Sequence, residues 1–363
     1  MSQTEAFDVV VIGAGSAGVC AAFAASQAGA HTAILDEHGT VGGLSVHAQI
    51  GTVCGLYKHD AQDLLVPNVS GIARKMSREL MHRSGYAPDG FRGFYYLPYE
   101  AADLRAMYED MLEDVQTITK ATLTGVESLD RELDTLTYQT GDKTFSIRSK
   151  AVIDCSGVAA VDGLAGLTPA FIAQQAGAYS FSMRPKADPG IKVQLKAALV
   201  SVYRAVENAA VSSACKQLAF VPQTTTARPV LMKLQSADLV EARHAAQQIR
   251  ALLEQDLGWE PHLFAEQIGE RGNPIPRTRI CLIGSDALAG KPCAEGIAAG
   301  LWPAEHWPEQ GGKVNITPIG GNGYYQIPAD TLRSNTFDNL FFGGKAIGAD
   351  PIAHSSCRAI GTC

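Results

Sequence analysis

The sequence predicts an α/β fold, a parallel sheet flanked by helices, and three observations carry that prediction. A buried run of Val and Ile at residues 8–12 breaks at a glycine-rich turn and leads into a small-residue helix. A second apolar run, 31–35, stops on an acid, Asp36. A third, 151–154, ends in the small residues Cys155-Ser156-Gly157. Short apolar runs joined by helical segments are how a parallel sheet reads in a sequence. At 363 residues the chain has room for two domains, on a scale of roughly 100–200 residues each. Its 46% hydrophobic and 18% charged content is that of a globular protein. The net charge of −7, with no block of Lys and Arg, gives no footprint for nucleic acid. No apolar run reaches the roughly 20 residues of a membrane span, and residues 1–7 lack a basic-then-apolar signal, so the expected location is cytoplasmic. The eight cysteines contain no CxxC pair, which argues against a zinc or iron–sulfur centre and for reduced core thiols.

In chain order, the first turn is the most informative. In Gly13-Ala14-Gly15-Ser16-Ala17-Gly18 the first glycine permits a tight strand-to-helix turn. The second lets backbone approach a pyrophosphate, and the third lets helix and strand pack closely. A phosphate then sits on the free N–H groups at the positive end of the helix. Asp36 lies 18 residues beyond Gly18, placed to accept a ribose hydroxyl, with Glu37 as the neighbouring acid. Strand, glycines, helix, strand and acid in this order specify a dinucleotide site. The loop Gly42-Gly43-Leu44-Ser45, a double glycine beside a small hydroxyl, suits backbone running along a large flat cofactor.

Together GAGSAG, the acidic strand end and VGGLS resemble the FAD-binding domain of the glutathione-reductase-like flavoproteins, in particular the oxidoreductases related to the fumarate reductase flavoprotein. That resemblance implies FAD as cofactor, held in a Rossmann-like domain with a three-stranded β excursion. It implies that Gly13, Gly15, Ser16, Ala17, Gly18, Asp36, Glu37, Gly42, Gly43, Leu44 and Ser45 contact the cofactor, and that backbone at Leu123 holds the adenine. It matches Cys155-Ser156-Gly157 to the family's Ala-Thr-Gly return. It also places Gly344, Lys345 (where Arg is commoner), Ser355, Gly361 and Thr362 in the closing segment. By the same resemblance the stretch holding His47, Gly51, Cys54 and Tyr57 passes near the isoalloxazine ring.

The remaining elements follow from periodicity. Residues 68–84 and 100–114 read as helices, 91–99 as an aromatic cluster of core type, and 116–128 as one strand. A hairpin follows at 133–139 and 144–147, turning at Gly141-Asp142. From 158 to 271 the pattern changes: helices are expected at 194–210 and 238–254, the latter with Asp238 and Glu241 in capping-box spacing, and strands at 217–221 and 228–234. The expected organisation is a discontinuous FAD-binding domain, 1–157 and 272–363, interrupted by an α+β substrate or cap domain at 158–271. Farther on, Arg277 and Arg279 are a pair able to grip a carboxylate.

A second GxGxxG is absent; Gly320-Gly-Asn-Gly323 lacks the strand–turn–helix context. An organic substrate is therefore expected to meet the flavin directly, with hydride passing between a substrate carbon and flavin N5. The residues able to accept or relay a proton are His47, His354 and Tyr57, and Arg358 supplies a fixed positive charge to reduced flavin or a substrate carboxylate. His354 and Arg358 are four apart and share a face if helical. His47 is also the candidate for a covalent flavin link. The alternatives are a flavin-dependent monooxygenase and a flavin-bearing subunit of a larger enzyme. In the resembling family Gly-Thr opens a long helix, here reduced to Gly361-Thr362-Cys363. That helix is expected from a longer chain or a second polypeptide, with Leu340–Phe342 lacking a neighbour.

Overall fold

The computed structural model describes residues 5–59, 65–67, 69–91, 93–308 and 314–363. Its main sheet has the strand order Gln116–Ile118, Thr32–Leu35, Glu5–Ile12, Lys143–Asp154, Glu132–Thr140, Thr122–Leu129, and Leu340–Phe342 pairs in parallel with the end of Lys143–Asp154. Glu5–Ile12 lies between two parallel neighbours, and its Val10 and Val11 are fully buried. Burial on both faces is why this strand is a continuous apolar run rather than an alternating one.

Lys143–Asp154 belongs to two patterns at once. Its first half, up to Arg148, pairs antiparallel with Glu132–Thr140, and from Ile147 to Asp154 it pairs parallel with Glu5–Ile12. The hairpin strand expected at 144–147 and the buried strand expected at 151–154 are thus one element. The three-stranded excursion is a direct extension of the parallel sheet. Conversely, the strand expected at 116–128 is two, Gln116–Ile118 and Thr122–Leu129. The break comes where Lys120 takes a positive φ of 53° and the Lys120 and Ala121 N–H groups turn to the His38 and Asp36 carbonyls.

Leu340–Phe342 does not lack a neighbour. One edge pairs with Val152–Asp154. On the other, the Phe342 N–H donates to the Leu332 carbonyl and the Ser334 N–H to the Leu340 carbonyl, so Leu340 and Phe342 are buried. The expectation of bare strand ends is corrected: residues 332–334 double back over the strand.

The helices expected at 68–84 and 100–114 are shorter, Gly71–Ser84 and Ala101–Met111; residue 68 lies outside the described residues. Phe94–Pro98 pairs with Thr52–Cys54, and Tyr96, Leu97 and Tyr99 are core, as the aromatic density suggested.

The middle of the chain builds a four-stranded antiparallel sheet in the order Leu218–Phe220, Val230–Gln235, Ala178–Arg184, Glu260–Phe264. One face carries the helices Ile191–Glu207 and Leu239–Leu257. Tyr179, Phe181, Met183, Met232 and Leu234 pack there against Ala198, Val202, Ala246, Ile249 and Trp259. Asp238 caps the second helix by accepting from the Val240 and Glu241 N–H groups. The reciprocal arm of a capping box is missing, because the Asp238 N–H donates to Ser236 Oγ instead. Among the described residues no helix is long and apolar enough to cross a membrane.

Candidate functional site

The first helix, Ser16–Gln27, starts with no side chain capping it, so the N–H groups of its first turn are open at the positive end of the dipole. Gly13 turns the chain at φ 93°, where a Cβ would lie 2.6 Å from the Cys155 carbonyl oxygen. A Cβ on Gly18 would overlap the Gly13 carbonyl oxygen. These two glycines serve packing. Gly15 is different: its φ of −74° suits any residue, and the nearest atom to an added Cβ is Gly43 Cα at 3.9 Å. The space beside Gly15 is open above the helix start, walled opposite by Gly42 and Gly43 with φ of 126° and 51°.

Other expected cofactor residues converge on that helix start. Ser16 Oγ lies 2.9 Å from Ser45 Oγ and accepts from Tyr108 OH at 2.7 Å. A Cβ on Gly344 would stand 3.0 Å from Ala17 Cβ, and one on Gly157 3.1 Å from Lys345 Cε. Lys345 Nζ reaches the Glu270 carbonyl at 3.3 Å, and burial pushes its pKa down to about 8. Asp36 ends its strand buried, accepting from the Ala14 N–H at 2.5 Å and the His38 N–H at 2.8 Å, with His38 Nδ1 at 3.0 Å; Glu37 is exposed. Leu44 lies within the short helix Gly43–His47. Leu123 sits opposite Tyr138 in the antiparallel part of the sheet. Cys155 is stacked under Gly13, and burial raises its thiol pKa well above the usual range. Ser156 is committed locally: its N–H and hydroxyl donate to Asp154 at 2.9 and 2.6 Å, and Asp154 also accepts from the Val161 N–H. Asp154 is fully buried, and that burial raises its pKa.

The residues expected at the reacting edge are distributed unevenly. His47 is buried and tied at both ring nitrogens, Nε2 to the Thr40 carbonyl and Nδ1 to Glu266 Oε2, each at 3.2 Å, with its ring stacked on His38. Tyr57 turns into the core beneath the Gly71–Ser84 helix, its OH toward Met81 Sδ at 3.4 Å, and burial raises its pKa. The proton relay expected at Tyr57 would have to act from this packed position. His354 and Arg358 do lie at adjoining turns, since the last helix is Pro351–Cys357 and the Arg358 N–H donates to the His354 carbonyl. His354 is fully buried, with Nε2 donating to the Lys345 carbonyl and Nδ1 without a partner. Burial first, then the Arg358 charge, push its pKa down to about 3, so it is neutral and a poor base at neutral pH. Ser355 Oγ donates to the Ile352 carbonyl, the Gly361 N–H to the Cys54 carbonyl, and Thr362 Oγ1 is buried without a partner. Arg277 and Arg279 are exposed; Arg277 Nε donates to the Thr168 carbonyl and Arg279 lies 3.6 Å from Asp338, so no paired grip forms.

Arg358, singled out in the sequence, is joined here by two cations that were not, Lys233 and Arg271. On Val230–Gln235, Met232 and Leu234 face the helices, so Leu231, Lys233 and Gln235 face the rest of the molecule. Leu231 packs on Gly51, and Gln235 Nε2 donates to the Pro308 carbonyl at 2.6 Å. Lys233 projects between them, with its cross-strand partner Ser180 buried and its hydroxyl unpartnered. Arg271 is buried, donating to the Ala176 carbonyl at 2.6 Å and lying 3.9 Å from the Trp307 ring centroid. Arg358 donates to Gln175 Oε1 and the Glu305 carbonyl, both at 3.1 Å, while its Nε and Trp307 Nε1 are buried without partners among the described residues. Burial, with Arg271 next, lowers the Lys233 pKa to about 8, and burial, with Arg358 next, lowers that of Arg271 to about 9.

An uncapped helix start facing a bare double-glycine wall fits a pyrophosphate, and His354 Nδ1 and Thr362 Oγ1, buried with no partner among the described residues, fit a polar ring system. The residues present thus fit FAD. A family model described as FAD dependent oxidoreductase matches residues 8–251 and 233–363. No curated protein matches. Among solved structures, a geranylgeranyl bacteriochlorophyll reductase-like protein from Thermoplasma acidophilum is 14% identical over 76% of this chain and 68% of its own, with a TM-score of 0.41. The p-nitrophenol 4-monooxygenase of Pseudomonas putida DLL-E4 is 12% identical over 73% of this chain and 68% of its own, with a TM-score of 0.45. The OxyS anhydrotetracycline hydroxylase of Streptomyces rimosus is 14% identical over 73% of this chain and 52% of its own, with a TM-score of 0.41.

Proposed function

Because the chain belongs to the FAD dependent oxidoreductase family, we propose that it transfers a hydride between a carbon of a small organic substrate and its flavin. The observation carrying this reading is the open space beside Gly15 at an uncapped helix start, with Gly42 and Gly43 as its bare wall. FAD, when bound, supplies a two-electron acceptor at N5. Gly13, Gly15 and Gly18 with Gly42–Ser45 would hold its pyrophosphate and the backbone beside it, and Asp36 its ribose. Lys345 would place a positive charge on the phosphate side. Residues 158–271 would act as the cap: Leu231, Lys233 and Gln235 close over the reacting edge, which orients the substrate and excludes water. Arg358 would hold fixed positive charge there.

The test is purification of the natural protein followed by cofactor extraction and anaerobic mixing with a panel of metabolites. FAD in the extract and bleaching of its visible absorbance by one substrate class, without NAD(P)H or oxygen, is the expected result. Turnover that requires both NAD(P)H and oxygen would replace this reading with the monooxygenase one.

A further inference from the structure

We infer that Lys233, Arg271 and Arg358 form one anion subsite, which seats the carboxylate of an organic-acid substrate against the cap strand. That the anion is a substrate rests on the oxidoreductase reading above; the anion site itself does not.

The three cations come from three distant parts of the chain and meet around the same short segments. Arg271 and Arg358 both anchor on the pair of stretches 175–176 and 305–307, and Gln235, two residues from Lys233 on the same strand face, anchors on Pro308. The two guanidiniums donate their hydrogen bonds to neutral oxygens, the Ala176 and Glu305 carbonyls and Gln175 Oε1. Among the described residues none of the three cations makes an ion pair, and the one carboxylate acting on all three is that of Glu305. Among the described residues, one acid against three cations, Arg271 buried and Lys233 and Arg358 half-buried, leaves positive charge in excess.

Leaving a buried charge unpaired costs several kcal/mol. Elsewhere the chain neutralises a cation that it uses only for structure, since buried Arg228 is paired with buried Asp89 at 2.8 Å and also donates to Tyr96 OH. Among the described residues Arg271 and Arg358 have no such partner, and the donors around them are idle as well. Arg358 Nε, Trp307 Nε1 and Ser180 Oγ are buried without a hydrogen bond among the described residues. Buried polar groups are nearly always satisfied, so a cluster of idle donors beside surplus positive charge is the imprint of an anionic acceptor. A guanidinium with its Nε–H free matches the two oxygens of a carboxylate, and an ammonium opposite adds a point charge. The pyrophosphate is not that acceptor, since its groove lies at Gly15 and Gly43, beside Gly344 and Ala17.

The experiment uses the purified holoprotein, titrated with succinate, benzoate and inorganic phosphate, and with succinamide and benzamide as neutral counterparts. Binding is read by perturbation of the flavin spectrum and by the thermal midpoint, with FAD content measured separately. At least one carboxylate should bind tenfold or more tightly than its amide. Lys233→Gln and Arg271→Gln should each weaken that carboxylate tenfold or more at unchanged FAD content, and Lys233→Arg should retain it. Equal response to acid and amide, binding of phosphate alone, or carboxylate affinity untouched by both variants would overturn the proposal. If a variant does not fold, the acid-against-amide comparison on the unsubstituted protein decides by itself. A protein that lacks FAD yet gains thermal stability from the carboxylate would defeat the oxidoreductase reading while upholding the anion site.

Discussion

Gly15 and Gly43 face each other closely enough that a Cβ on Gly43 would stand 2.8 Å from Gly15 Cα, yet a Cβ on Gly15 would meet nothing nearer than 3.9 Å. The two glycines are therefore constrained differently. Gly43, at a positive φ, is required by the chain itself. Gly15 is not required by the chain: its φ suits any residue and the space beside it is open.

That difference makes a paired prediction. Gly15→Ala should fold with an unchanged thermal midpoint and lose FAD, because the side chain fills only the groove. Gly18→Ala should destabilise the apoprotein by about 1–3 kcal/mol, since its Cβ overlaps the Gly13 carbonyl oxygen. Thermal melts alongside the flavin content of both variants check this; a Gly15→Ala protein that purifies with full flavin would remove the pyrophosphate from this groove.

Asp36 does more than wait for a ribose. It holds the Ala14 and His38 N–H groups, so Asp36→Ala should lower FAD affinity and also cost the apoprotein about 1–3 kcal/mol through unpaired donors. Asp36→Asn, which keeps an acceptor, should recover part of the stability. Denaturant melts of the flavin-free proteins measure it, and an unaltered midpoint in Asp36→Ala would assign those donors other partners.

Lys233 trades stability for charge. Its folded pKa of about 8 lies below the ordinary 10.5, so above pH 8 the unfolded chain holds the extra proton and stability rises with pH up to about 10.5. The groups facing it are Arg271, Arg358, Glu305 and Cys54. Lys233→Met should be more stable at pH 7 and lack Lys233's share of that rise. Urea midpoints from pH 7 to 10 for both proteins give the comparison; parallel curves would show that Lys233 reaches solvent.

His354 works in the opposite pH range. With a folded pKa near 3 against an ordinary 6.5, the unfolded chain takes up the proton first as pH falls. Stability should drop by up to about 1.4 kcal/mol per pH unit below 6.5 on this account alone. His354→Asn should flatten that slope even if it lowers stability overall. Identical slopes between pH 6.5 and 4 would show that the ring titrates normally.

Much of the nucleotide end was legible in the sequence because its requirements are local. Gly13, Gly15 and Gly18, the helix they open, and Asp36 are set by backbone geometry within about thirty residues, and the structure brings them to one helix start. The closing strand Leu340–Phe342 was legible for its apolar run, but its second neighbour, 332–334, was not, since a chain doubling back leaves no periodic mark. The strand Ala178–Arg184, inside the four-stranded sheet, is absent from the sequence reading although the alternation Tyr179-Ser180-Phe181-Ser182-Met183 is the period-two mark of a strand with one face on the helices. Tyr57 and His354 looked like bases because residue type is visible and burial is not. The cation cluster shows the limit most plainly. Lys233, Arg271 and Arg358 are widely separated in sequence, and only Arg358 stands out there; the fold alone turns alternate residues of Val230–Gln235 toward the end of the last helix, where partial removal from water makes their shared charge matter.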